Sequence, residues 1–176
     1  DDQKVEHVLT YSDPETGLVV RQVGVEYLDF PTVEWTVFFA NTGSEDTPVL
    51  SEIQGLDLGL ERASDGEFVL HHHTGGLSGP QDYEPLATEM APRAEKEFAT
   101  WIGFPTAEHL PYFNVEMDGR GVIVGLGWPG AWKAVFARDG AIGLRVRGGQ
   151  ELTHLRLRPG EEVRTPLVVL QFWEAD

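Results

Sequence analysis

The segment from Phe113 to Trp173 restricts the possible folds of this 176-residue chain more than any other part of it. It consists of short runs in which apolar and polar residues alternate, and turns containing glycine or proline separate these runs. This pattern is typical of antiparallel strands. No segment shows a sustained 3.6-residue apolar period with caps. We therefore predict an all-β fold of many short strands, a sandwich or a barrel, with little helix.

The same alternation in the first half of the chain predicts strands at residues 5–11 and 33–40. Two turns predict hairpins. One is Ser64-Asp65-Gly66, before the strand at residues 68–70, and the other is Pro159-Gly160-Glu161. Pro166 indicates an edge position or a bulge near the start of the last strand. The residues expected in the core are Trp35, Val37, Leu58, Val124 and Leu170.

Length and composition restrict the class of protein. Residues 1–176 suit one domain, large enough to bury a core without disulfides or metals. The formal charge of −16 would repel phosphate-rich partners, so we expect neither nucleic acid nor an anionic membrane as a partner. No apolar run approaches the ~20 residues of a membrane span. The lack of cysteine is compatible with the cytoplasm and with secretion, so it leaves the compartment open.

Three consecutive histidines, His71, His72 and His73, form the first candidate site. On a strand, His71 and His73 would share a face and could hold a transition metal if a third ligand were near. A conventionally spaced third ligand is missing, since no Glu follows until Glu84. We therefore expect no bound metal and no cofactor. In the alternative interpretation the histidines hydrogen-bond a loop or face a neighbouring domain.

Aromatic residues form the second group of candidates. Flat side chains presented by a β-sandwich bind the apolar faces of sugar rings, and they also fill interfaces between domains. For Trp132 burial is the favoured alternative, because alternating core-type residues follow it. The candidates for sugar binding or a domain interface are Trp101, His109, Tyr112, Asn114, Trp128 and Trp132, together with His72.

Several segments, taken in chain order, carry a family resemblance. They are Tyr-Ser-Asp-Pro-Glu-Thr-Gly-Leu at residues 11–18, Glu34-Trp35 followed by Ala-Asn-Thr-Gly at residues 40–43, the set Pro111, Phe113 and Asn114, and the pair Trp128 and Trp132. Together they resemble the β-sandwich domain that precedes the catalytic barrel in glycoside hydrolase family 36, the α-galactosidase family. The segment at residues 103–107 departs from the family's Gly-Arg-x-Ser-Ser.

The resemblance implies an antiparallel β-supersandwich of the galactose-mutarotase type. It also implies that residues 1–176 are part of a longer chain in which a catalytic (β/α)₈ barrel follows residue 176. In this interpretation the domain is non-catalytic, packs on the barrel, and shapes the barrel mouth or an oligomer interface. The implied partners are the barrel, a second copy of the chain, and an α-galactoside or a galactose-containing polysaccharide. The alternative is a free-standing carbohydrate-binding module that recognises a plant-type polysaccharide through surface aromatics.

Overall fold

A computed structural model describes residues 3–63, 66–100 and 102–175. These residues form fifteen strands and no helix. The strands are β1 Lys4–Ser12, β2 Leu18–Tyr27, β3 Thr32–Asn41, β4 Leu50–Ser51, β5 Leu56–Glu61, β6 Val69–His73, β7 Pro85–Glu89, β8 Glu95–Ala99, β9 Tyr112–Met117, β10 Arg120–Gly127, β11 Trp132–Arg138, β12 Gly143–Gln150, β13 His154–Leu155, β14 Glu162–Arg164 and β15 Leu167–Glu174. The all-β prediction is therefore confirmed. No helix in the described part of the chain is long and apolar enough to cross a membrane.

The strands form two facing antiparallel sheets and one short extra pair. The large sheet has nine strands in the order β1-β2-β3-β15-β10-β9-β6-β7, with β14 also paired to β3. The small sheet has the order β5-β12-β11-β8, and β4 pairs with β13. Because four strands cannot cover nine, β1 at the far edge of the large sheet is exposed along its whole length.

The core lies between the small sheet and the middle of the large sheet. On β9 and β10 every second side chain points inward, and these side chains meet those of β11 and β12. An aromatic cluster at the centre has Phe113 with its ring centroid 4.9 Å from that of Phe136 and 5.9 Å from that of Trp132. The core also contains Val122, Val124, Leu126, Ala134, Leu144, Val146, Val168 and Leu170.

Four of the five predicted core residues lie in or against this core. Val124 and Leu170 are buried, and Trp35 and Leu58 are partly buried and packed against the buried cluster. Val37 is only half-buried and lies outside that cluster. It lies in the middle of β3, where its carbonyl oxygen accepts a hydrogen bond from Thr165 N–H at 2.8 Å, in the segment between β14 and β15.

Both predicted hairpins are wrong in their pairing. β5 belongs to the small sheet and β6 to the large one, so the chain crosses the sandwich between them instead of turning back on itself. Ser64 and Asp65 lie outside the described residues. The predicted turn at Pro159–Glu161 exists, with Glu161 N–H donating to Arg158 O at 3.0 Å. However, the strands beside it pair elsewhere, β13 with β4 and β14 with β3.

The predicted bulge at Pro166 is confirmed by the register of the neighbouring strands. Arg164 lies opposite Phe38, and Val168 lies opposite Trp35. Arg164 and Val168 are four residues apart, whereas their partners Phe38 and Trp35 are three apart. The segment that contains Pro166 therefore has one extra residue, which is a bulge. A proline, which has no N–H to donate, is tolerated at such a position.

Candidate functional site

Strand β9 presents polar and aromatic side chains on the outer face of the large sheet, the face turned away from the core. Phe113, Val115 and Met117 point into the core, so Tyr112, Asn114 and Glu116 must point to the opposite side. On the neighbouring β6, Leu70 and His72 are buried, which places His71 on the same outer face, directly opposite Asn114.

Glycines form the floor of this face on β10. Gly121 lies opposite Trp173 of β15, and Gly125 lies opposite Tyr112 of β9. A Cβ atom at Gly121 would come within 2.6 Å of the Trp173 ring, and one at Gly125 would lie 3.6 Å from the Tyr112 ring. The absence of a side chain at Gly121 therefore lets the Trp173 ring lie close over β10, whereas 3.6 Å is an ordinary contact distance, so the Tyr112 ring does not depend on a glycine at position 125.

The two rings differ in how they are held. Trp173 is half-buried, and its indole Nε1–H donates to Asn114 Oδ1 at 2.8 Å, which fixes the ring across β10. Tyr112 is 59% exposed. Next to Asn114, His71 Nε2 lies 2.8 Å from Glu116 Oε2, and both of these side chains remain partly exposed. We call the set His71, Tyr112, Asn114, Glu116 and Trp173 the outer strip.

Two of the predicted residues, His72 and His109, lie on the inner side of the sheet instead. Their rings flank Phe98, with centroids 4.8 Å and 5.1 Å from its ring. Burial lowers the pKa of the His72 ring, and the nearby His109 lowers it further. Burial likewise lowers the pKa of His109. His72 Nε2 contacts Thr88 Oγ1 at 3.2 Å, so this histidine stabilises strand packing and is too buried to contact a ligand.

The tryptophan candidates also separate. Trp132 has no exposed surface, and its Nε1–H donates to Pro105 O at 2.6 Å, so it cannot contact a sugar or another domain. This burial is the alternative that its sequence context favoured. Trp128 is partly buried against the core, with the Arg164 guanidinium 5.4 Å from its ring centroid. Trp101 lies outside the described residues.

The histidines do not form a metal centre in the part of the chain that the structure describes. His71 is paired with Glu116 on the outer face, whereas the Nδ1 atom of His73 is buried and has no hydrogen-bond partner among the described residues. Among the described residues, no group of three or more His, Cys, Asp or Glu side chains is arranged to hold a metal ion.

A concave surface, about 460 Å³ in volume, lies on the outer face of the small sheet. Its walls carry the carboxylates of Glu95 and Glu97, and Lys133 Nζ lies 2.7 Å from Glu97 Oε2. Arg147 and Gln150 are among its other polar residues, and none of the described residues that line it is aromatic. The described residues of this groove therefore offer no aromatic surface for stacking on a sugar ring.

The sequence identified Tyr112 and Asn114 of the outer strip, but missed the role of Trp173 and the pairing of His71 with Glu116. The spacing Gly121-x-x-x-Gly125 in a predicted strand was an available indication, since it leaves two open positions on one face. The residues that fill these positions come from other strands, and only the register of the sheet identifies them.

The fold of the chain is that of the N-terminal region of glycoside hydrolase family 36 α-galactosidases. It superposes on the α-galactosidase from Lactobacillus brevis with a TM-score of 0.84 and 17% sequence identity, over 99% of this chain and 24% of that one. The galactosidase domain of the α-galactosidase–sucrose kinase AgaSK gives 0.82 and 16%, over 99% and 24%. An AgaA variant from Geobacillus stearothermophilus, solved with raffinose, gives 0.80 and 17%, over 98% and 24%.

The solved structures also show how much of an α-galactosidase this chain corresponds to. The chain spans about a quarter of the length of these solved α-galactosidases. No family model matches the sequence. No curated protein matches it either. The predicted β-supersandwich resemblance is therefore confirmed at the level of the fold.

Proposed function

We propose that the chain is the non-catalytic N-terminal domain of an α-galactosidase-like glycoside hydrolase and packs on a catalytic barrel. The observation that supports this proposal most strongly is the structural match over 98–99% of the chain to about 24% of several solved α-galactosidases. A match of this kind is expected when a chain corresponds to one domain of a longer enzyme.

An exposed apolar surface at one end of the sandwich supports a domain interface. Leu28 and Phe30, in the turn between β2 and β3, are 58% and 60% exposed, and Phe172 of β15 is 43% exposed. Phe172 N–H donates to Pro31 O at 2.8 Å, so the turn and the end of β15 are joined. A hollow of about 530 Å³ beside them is lined by Pro31, Met117 and Phe172, among other residues. Contiguous exposed apolar groups of this kind mark interaction surfaces.

The experiment compares this chain with the longer product of the same reading frame. We expect the longer product to contain a barrel and to hydrolyse α-galactosides, and the 176-residue chain to be inactive. Phe30→Ser together with Phe172→Ser should weaken the contact between the two parts, which limited proteolysis would detect as faster cleavage between them. A reading frame that encodes no glycosidase barrel would contradict the proposal.

A second candidate is a carbohydrate-binding module that acts without a barrel. The specific observation in its favour is the exposure of Tyr112 on a flat sheet face beside polar side chains. Affinity electrophoresis of the chain against galactans, mannans, xylans and glucans separates the two roles. A domain that serves only to pack on a barrel should migrate unchanged in all of these gels.

A further inference from the structure

We infer that the outer strip is a carbohydrate-binding site for a short neutral oligosaccharide lying along β10. The inference rests on the second candidate function, since it assumes that the isolated chain binds sugar. It adds the place of binding, the residues that make contact, and the class of ligand.

One of the two aromatic rings of the site is held in place before any ligand arrives. The Trp173 ring is held over Gly121 by its hydrogen bond to Asn114, and the Tyr112 ring lies over Gly125. These glycines are four residues apart on β10, which corresponds to about 13 Å in a strand. Ile123 lies between them on the same face and is 36% exposed. The strip therefore offers two rings joined by an apolar floor, long enough for more than one pyranose unit.

Hydrogen-bonding groups flank the same floor on the side of β9 and β6. Asn114 uses its Oδ1 atom to hold Trp173, and its Nδ2 amide makes no hydrogen bond to the described residues. His71 and Glu116 contact each other through one atom each, and their side chains remain 38% and 42% exposed. The site thus combines aromatic rings, which suit the apolar faces of a sugar, with amide and carboxylate groups, which suit its hydroxyls. Small-ligand sites use this combination to fix the orientation of the ligand.

Charge restricts the ligand to a neutral sugar. Glu116 contributes a carboxylate to the strip itself, and the whole chain has a formal charge of −16. An acidic polysaccharide such as polygalacturonate would be repelled both locally and at long range. A neutral oligosaccharide experiences no such repulsion, and its hydroxyl groups can donate to the carboxylate.

The outer strip is better suited to stacking than the surroundings of Trp128, which the sequence also indicates as a candidate for sugar binding. The Trp128 ring is partly buried against the core, and the Arg164 guanidinium lies near it. A sugar there would have to displace Arg164 or stack on it. Trp173, by comparison, is supported from below by a glycine and fixed at its edge by Asn114.

Titration calorimetry tests the site with raffinose, stachyose and oligosaccharides of mannan, xylan and glucan. At least one of these neutral ligands should bind saturably, and polygalacturonate should give no heat. Tyr112→Ala should weaken binding about fivefold, since a stacked ring contributes on the order of 1 kcal/mol. The matched control is Tyr11→Ala, which removes a tyrosine that is 66% exposed on β1, away from the strip. Its binding should equal that of the unmodified chain.

Tryptophan fluorescence gives a second measurement that a general loss of folding would not reproduce. Ligand should shift the emission of the unmodified chain, and Trp173→Phe should remove the shift while circular dichroism stays unchanged. Binding that survives Tyr112→Ala and Trp173→Phe but disappears in Trp128→Ala would overturn the inference and leave the second candidate function standing. No binding to any neutral oligosaccharide at millimolar concentration would overturn both.

Discussion

Arg138 is a buried cation, and its charge must be neutralised where it lies. Its Nε–H donates to Glu67 Oε1 at 2.7 Å, and its Nη1–H donates to Asp139 Oδ1 at 2.6 Å. A third hydrogen bond goes to Ala141 O at 2.7 Å. The bond to Glu67 is the largest cause of the raised pKa of Arg138.

We expect Arg138→Met to lower the free energy of unfolding by about 3 kcal/mol, because it leaves Glu67 and a backbone carbonyl without their buried partner. Urea denaturation followed by tryptophan fluorescence measures the change. The matched control is Arg145→Met. The Arg145–Asp57 pair has side chains that are 61% and 43% exposed, so its removal should have little effect. Equal losses in the two variants would contradict this account.

The sequence alone could not show either of these residue networks. Arg138-Asp139-Gly140 is recognisable as a turn, but Glu67 is 71 positions away in the chain and lies in the segment that crosses between the sheets. The outer strip also brings together residues that are distant in the sequence. Tyr112 and Asn114 are close in sequence and were predicted together, whereas Trp173 meets Asn114 only through the pairing of β15, β10 and β9.

Strand β1 lies at the edge of the large sheet. Every second residue directs its backbone N–H and C=O groups to β2, and the residues between them direct theirs to the open edge. Leu28 N–H donates to Gln3 O, and Asp13 N–H donates to Leu18 O. Since hydrogen-bonded positions alternate along an antiparallel pair, the odd-numbered residues of β1 bond to β2. The even-numbered residues, such as Val8, direct their N–H and C=O groups to the open edge.

This alternation predicts different effects of proline at adjacent positions. Val8→Pro removes an N–H from the open edge and should leave the pairing of β1 with β2 intact. Leu9→Pro removes an N–H that faces β2 and should open the end of the sheet. Hydrogen exchange of the β2 amides measures the difference. We expect faster exchange in Leu9→Pro only, and equal acceleration in both variants would show that the assigned alternation is wrong.

The strands themselves were predictable because a period of two needs only local sequence. The pairing of strands was not, as the two failed hairpins show. Ser64-Asp65-Gly66 has good turn chemistry, yet Leu56 of β5 and Leu70 of β6 are buried in facing sheets. Burial of both apolar strand faces between the two sheets outweighs the local tendency to form a hairpin. The sequence pattern of a single strand does not show which strand it will pair with.

The buried histidines predict how the stability of the protein depends on pH. His72 and His109 have pKa values below the usual 6.5 because burial disfavours their charged forms. The unfolded chain therefore binds protons on these rings at pH values where the folded chain does not. The stabilising contribution is fully present above about pH 6.5 and is lost as the pH falls through the lower, folded-state pKa values.

We expect the thermal midpoint to fall between about pH 7 and pH 5. His72→Gln should reduce this slope, and differential scanning calorimetry at a series of pH values measures it. Carboxylates dominate only at lower pH. Hydrogen bonds lower the pKa values of Asp57 and Glu67 below 3.8 and 4.5, so their contribution is present above those values and is lost on further acidification. A midpoint that is constant from pH 7 to pH 5 would contradict the histidine argument.

The last prediction, that the isolated chain does not hydrolyse α-galactosides, follows from the environments of its carboxyl groups. Glycoside hydrolysis needs one carboxylic acid that stays protonated near neutral pH, beside a second carboxylate. Within the described residues, each carboxyl group with a clear pKa shift is shifted downward, as at Asp13, Asp57, Glu67 and Asp139. Hydrogen bonds from side chains or backbone N–H groups are the largest cause in every case, and such bonds favour the ionised form. An aryl α-galactoside assay on purified chain should therefore give no turnover above buffer.

The carboxylates to examine first are Glu95 and Glu97, which alternation places on the same side of β8 in the small-sheet groove. Glu97→Gln provides the control, because a contaminating enzyme would give the same trace activity in both preparations. Turnover that is proportional to chain concentration and disappears in Glu97→Gln would show that this domain is catalytic.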